Sequence, residues 1–160
     1  VKLPVLILSI LGLTGCINSG LEQLYPVELW DEKTQRSEDV SIKEEGWYTV
    51  GVIFRDPPSS FSYEEFSKII REPSSSAPRL SITLKNGKSV VFEGQFNVTG
   101  TDGRHAFRLN GQVEDGHHKI LKAIWLEKGN YKISYHTTRP VGKYKPLETY
   151  LAVFRHNSKV

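Results

Sequence analysis

From about residue 25 onward, apolar and polar residues alternate at a period of two through most of this chain, and that pattern limits it to a fold of half-buried strands. The densest run is Trp47-Tyr48-Thr49-Val50-Gly51-Val52-Ile53-Phe54, rich in aromatic and β-branched side chains. Residues 80–84, the pair Asn86-Gly87 and residues 89–96 read as a hairpin, because Asn-Gly suits the positive φ angles of a type I′ turn. Residues 26–30, 40–42, 105–113, 119–126, 131–136 and 149–154 complete the expected strands.

One helix interrupts them. Ser62-Tyr63-Glu64-Glu65 has the form of a capping box, in which hydroxyl and carboxylate satisfy free amides at a helix start. Phe66, Ile69 and Ile70 then share one helical face. Pro73 disfavours a helical residue before it, which ends the helix near Glu72. Many short strands with one inserted helix predict an all-β, immunoglobulin-like Greek-key β-sandwich occupying residues 25–160 as a single domain. Leu126-Glu127-Lys128-Gly129-Asn130-Tyr131 resembles the Leu-x-x-Gly-x-Tyr corner of such sandwiches, where the tyrosine hydroxyl caps backbone upstream and the glycine permits a tight backbone. Residues 42–48 look like a looser copy of it.

The N-terminus carries a different signal. Lys2 precedes an apolar run of about 11 residues, too short for the ~20 needed to span a bilayer but suited to a secretory h-region. Leu13-Thr14-Gly15-Cys16 then resembles the bacterial lipobox. The resemblance implies cleavage between Gly15 and Cys16, a diacylglycerol on the Cys16 thiol and acylation of the new amine. Residues 1–15 are thus expected to be a signal peptide, and residues 16–24 a lipidated cysteine with its tether. Ile17 is not the Asp that holds lipoproteins in the inner membrane of enteric-type bacteria, so the resemblance implies the outer membrane, facing the periplasm. Cys16 is the sole cysteine, which leaves the domain to be held by its core without a disulfide. The strand ending at Phe54, the acidic helix, the hairpin and the Leu126 to Tyr131 motif together resemble uncharacterised proteobacterial lipoprotein families with an immunoglobulin-like sandwich. That likeness covers about residues 25–155 and brings no catalytic residue with it.

Signals for chemistry are sparse. His117 and His118 are adjacent and must point to opposite faces of a strand, and His105, His136 and His156 lie apart in sequence. Asp102 with His105, or Asp115 with His117, are the local pairings open to a small site. The sequence has neither His-Glu-x-x-His nor Gly-x-Ser-x-Gly. The expectation is therefore no catalytic residue, no metal and no cofactor.

Charge is more telling. Residues 17–72 hold 12 acids and 6 bases, whereas residues 73–160 hold 6 acids and 14 bases. The two sets either face each other across the fold, or the basic one, with Lys119, Lys122, Lys128, Lys132, Arg139, Lys143 and Lys145, forms a surface for an anionic partner. Trp30, Trp47 and Trp125 are expected in the core, with a sugar-binding platform as the alternative. The chain thus reads as a non-enzymatic lipoprotein held to the membrane through lipid on Cys16. It is expected to bind a protein partner in the periplasm, as an immunity protein against a toxin, and no nucleic acid. An envelope-maintenance or secretion-apparatus component and a carbohydrate- or cell-wall-binding module stand as alternatives. Oligomeric state is not legible.

Overall fold

The computed structural model describes residues 23–32 and 35–155. Gly15, Cys16 and His156 lie outside them. The described residues form nine strands and one α-helix in the order β1 (Gln23–Pro26), β2 (Arg36–Ile42), β3 (Gly46–Arg55), α1 (Tyr63–Ile70), β4 (Arg79–Asn86), β5 (Ser89–Asn97), β6 (Gly103–Leu109), β7 (Gln112–Leu126), β8 (Gly129–Arg139) and β9 (Thr149–Arg155). All pairings are antiparallel. A five-stranded sheet runs β1-β9-β3-β7-β6 and a four-stranded sheet runs β2-β8-β4-β5. The architecture is an all-β, immunoglobulin-like sandwich with one short inserted helix.

The alternation explains the packing. In β4, Leu80, Ile82 and Leu84 point inward, and Tyr131, Ile133, Tyr135 and Thr137 do the same in β8. Tyr48, Val50, Val52 and Phe54 of β3 and Leu151 and Val153 of β9 meet them from the other sheet. Helix α1 links β3 of one sheet to β4 of the other. Its capping box is formed as expected: Ser62 Oγ accepts from the Glu65 amide at 3.1 Å, and Glu65 Oε2 accepts from the Ser62 amide at 3.3 Å. Phe66 and Ile70 enter the core from this helix.

Both corners are present. The Tyr131 hydroxyl donates to the Glu127 carbonyl at 2.9 Å, and the Tyr48 hydroxyl donates to the Glu44 carbonyl at 2.8 Å. Gly129, however, does not adopt positive φ, and a Cβ there would make ordinary contacts with Tyr131 and Asn86 at 3.8 and 3.9 Å. The tyrosine makes the corner, without need of a left-handed glycine.

Strands β2 and β8 run longer than the expected residues 40–42 and 131–136, and three further boundaries differ from expectation. The first strand is Gln23–Pro26 rather than residues 26–30, so two residues assigned to the tether belong to the sheet. Past Pro26, Val27 still donates to Thr149 at 3.0 Å, but the chain turns at Leu29 and Trp30. The β4–β5 loop is Gly87-Lys88, since Asn86 pairs with Ser89, and only Gly87 has positive φ (56°). That is the sign pattern of a type II′ turn, with glycine first. The type I′ pattern lies instead at Asn110-Gly111 (φ 51° and 82°), between paired Leu109 and Gln112. It divides residues 105–113 into the end of β6 and the start of β7.

Candidate functional site

The two ends of the five-stranded sheet differ in chemistry. Strand β3 enters at Gly46 and leaves at Arg55, about 30 Å further on at ~3.3 Å per residue. At the Arg55 end, Arg55, Asp56, Pro57, Pro58, Val113, Glu114, Asp115, Pro146, Leu147 and Glu148 line a cleft of 510 Å³. Three chain segments meet there, and backbone bonds fix them: Arg55 N donates to Glu148 O at 3.0 Å, and Asp56 N to Asp115 O at 2.9 Å.

Four carboxylates and one guanidinium line this cleft. Arg55 sits between Glu148 (2.6 Å) and Glu114 (3.1 Å). The hydrogen bond that Arg55 donates to Glu148 leads the effects that raise the Arg55 pKa further, against the opposing pull of burial. Arg104 reaches Asp56 from the rim at 2.5 Å. The lining keeps an acidic excess, and Val113 adds an exposed apolar side chain beside it. Rigid proline walls, an acidic floor and an apolar edge suit a cationic peptide segment.

His117 lies next to this cleft, on β7, almost wholly buried. Its Nε2 is 3.3 Å from the Tyr63 hydroxyl and 3.5 Å from Asp56 Oδ1, and its ring packs against Tyr63 and Phe66 at centroid distances of 5.8 and 5.4 Å. Burial lowers its pKa, Asp56 opposes that and Arg104 adds to it. A catalytic relay needs hydroxyl and carboxylate on opposite ring nitrogens. Here both contact Nε2, so the three groups form a packed polar junction and not a relay.

The remaining expected pairings resolve as follows. His118 faces away from His117, toward His105 (5.5 Å) and Phe154 (6.3 Å) on the outer face of the five-stranded sheet. Asp102 accepts from the Ile120 amide at 2.7 Å and pairs with Lys119 at 3.2 Å. His117 turns to Asp56 rather than to Asp115. His136 stands on β8 in the other sheet, opposite Ser81. Among the described residues, no group of three potential ligands is placed to hold a metal.

The basic residues form no single surface. Lys132 pairs with Asp39 at 3.8 Å, Lys143 pairs with Glu72, and Arg155 pairs with Glu44. Arg139 is bound to the Ala77 and Ser74 carbonyls, and Lys145 lies 5.5 Å from the Trp30 ring centre. The acidic first half and basic second half thus face each other across the fold.

Two of the three tryptophans overturn the core expectation. Trp47 and Trp125 are directly opposite each other on β3 and β7, and are 53% and 51% exposed. Tyr48 is held inside by its corner bond, so alternation sends Trp47 out, and its cross-strand partner follows. Trp30 packs against the core edge, part buried. The sequence reading missed the cleft altogether. Its carboxylates come from the end of β3, the start of β7 and the loop before β9, and no local spacing links them.

No family model matches the chain, and no curated protein matches it. Among solved structures, the chain is similar to a crystal structure of a protein from Sulfurospirillum deleyianum. The TM-score is 0.59 at 9% identity, over 85% of this chain and 98% of that one. A second similarity is to a β-glucosidase from Paenibacillus barengoltzii, with a TM-score of 0.32 at 18% identity, over 82% of this chain and 10% of the enzyme. The first likeness shows the sandwich fold across nearly the whole of that protein.

Proposed function

We propose that this chain is a non-enzymatic lipoprotein, anchored through lipid on Cys16 to the outer membrane and facing the periplasm. Its sandwich binds a cationic segment of a protein partner in the acidic cleft, in the manner of an immunity protein that neutralises a toxin. The lipobox-like Leu13-Thr14-Gly15-Cys16 supports the anchor. The single observation that carries the binding reading is the cleft itself, with Asp56, Glu114, Asp115 and Glu148 set around one arginine. It lies at the Arg55 end of the sheet. Strand β1 begins nearer the opposite end, because Gln23 is level with Val153 and Val50. An anchor upstream of Gln23 leaves the cleft open to the periplasm.

The test uses the full lipidated chain in detergent, an arginine-rich peptide as probe and a glutamate-rich peptide as control. The cationic peptide is expected to bind, to weaken as salt rises, and to lose most of its affinity in the Asp115→Lys/Glu148→Lys variant. Equal binding of both peptides, or full affinity in the variant, overturns the cleft. For the immunity role, cells lacking the gene are expected to become sensitive to a toxin encoded beside it, with wild type but not the variant restoring protection. Unchanged resistance in the deletion strain overturns that role.

A further inference from the structure

We infer that the Trp47–Trp125 pair seats this end of the sandwich in the membrane interface, so that the anchored domain lies docked on the bilayer instead of swinging on its tether. This inference rests on the reading of Cys16 as a lipid anchor.

The two indoles stand with ring centres 6.0 Å apart and planes at 84°. Both are about half exposed, on the outer face of the five-stranded sheet. Large exposed aromatics side by side cost solvation unless something covers them. Edge-on rings offer no common flat surface, so a sugar ring has no shared platform to stack on. Two amphipathic side chains at one spot match the preference of tryptophan for the lipid–water boundary, where the ring is buried and the N–H stays wet.

The position of the anchor selects the occupant. Strand β1 runs away from the Trp47 end, which makes Gln23 its nearest residue to that end. Gln23 is level with Val50, three residues from Trp47, or about 10 Å along the sheet. Six residues lie between Cys16 and Gln23, and even fully extended those seven steps reach at most about 25 Å. A lipid on Cys16 therefore holds the tryptophans within reach of the interface. The turns at this end carry exposed Lys43 and Lys128, with Lys122 close by on β7, against exposed Glu44, Glu45 and Glu127, of which Glu44 pairs with Arg155. Lysines can snorkel to headgroups there. The charges nearly balance, so the docking is interfacial and does not require anionic lipid.

The experiment places the full-length chain, made in a lipoprotein-processing host, in phosphatidylcholine vesicles with or without brominated acyl chains. Mass spectrometry of the same sample reads the lipid on Cys16. In the Trp30→Phe variant, which retains the pair, brominated lipid is expected to quench emission roughly twofold, as befits indoles at the acyl boundary. In Trp47→Phe/Trp125→Phe, which retains only Trp30, emission should be unaffected. A chain without lipid on Cys16 defeats the anchor reading and this inference together. A lipidated chain whose Trp47 and Trp125 emission is unquenched, as when a protein partner or solvent covers them, overturns this inference alone.

Discussion

The Tyr131 hydroxyl donates to the carbonyl of Glu127, four residues upstream, and so ties the start of the β7–β8 turn to the strand that follows. Tyr48 repeats the relationship with Glu44 at the β2–β3 turn, in the other sheet. Each ring is buried while its hydroxyl reaches backbone. Tyr131→Phe keeps the ring and removes the bond, for an expected loss of about 0.5–1.5 kcal/mol, with Tyr48→Phe similar. The two turns lie side by side at one end of the sandwich, where Ile42 pairs with Gly129 and Gly46 with Leu126, so the double variant should depart from additivity by the coupling between neighbouring turns. Gly129→Val should stay within about 0.5 kcal/mol, because its φ is negative and the added Cβ meets only ordinary contacts. Denaturant midpoints of the variants check this. A neutral Tyr131→Phe would remove the corner as a stabilising element.

These corners were legible because the motif is local: six consecutive residues contain both the tyrosine and the backbone it caps. The capping box of α1 was legible for the same reason. Strand interiors followed from alternation, which burial enforces at every second residue. What escaped was non-local. Arg55 gave no sign of its partners, since Glu114 and Glu148 reach it only through the β3–β7 and β3–β9 pairings. The outward turn of Trp47 was available once Tyr48 was assigned to a corner, because adjacent strand residues cannot share a face. Asn110-Gly111 was equally visible as a turn signal. Apolar alternation that runs through it on both sides masks it.

The Asn110-Gly111 turn yields a test of hairpin register. Gly111 has φ of 82°, a region a β-branched side chain strongly resists. Nothing lies within 4 Å of an added Cβ, so any cost is backbone strain and not a clash. Gly111→Val is expected to destabilise by about 1–3 kcal/mol, with faster amide exchange across β6 and the start of β7. Unchanged exchange there would mean that the loop tolerates another turn.

Gly116 fails for the opposite reason. Its φ is unremarkable, but an added Cβ would stand 2.5 Å from the Phe54 carbonyl oxygen and 3.0 Å from the Phe107 ring. The first neighbour is backbone of a central strand and cannot step aside. Gly116→Ala should therefore cost about 1–3 kcal/mol although it adds a single methyl group. Thermal unfolding of Gly116→Ala beside Gly129→Ala separates close approach from ordinary packing. Equal midpoints would show that β3 and β7 can part at no cost.

Stability should also report His117 and His118. Burial lowers the pKa of His117 and of His118 below the ordinary 6.5. A histidine depressed in the folded state is neutral there, while the unfolded chain takes up its proton as pH falls through about 6.5. In that window the unfolded state binds more protons, so stability rises with pH. The contribution is complete above about 6.5, declines below it, and levels off under the folded-state values. Most carboxylates remain ionised near pH 5.5, so the histidines dominate the slope between about 7.5 and 5.5. Urea midpoints at the two ends of that range should be lower at the acid end. His117→Gln/His118→Gln should flatten the difference, whatever its effect on absolute stability. A wild-type midpoint that rises toward acid would mean that Asp56 outweighs burial at His117 and holds the ring protonated.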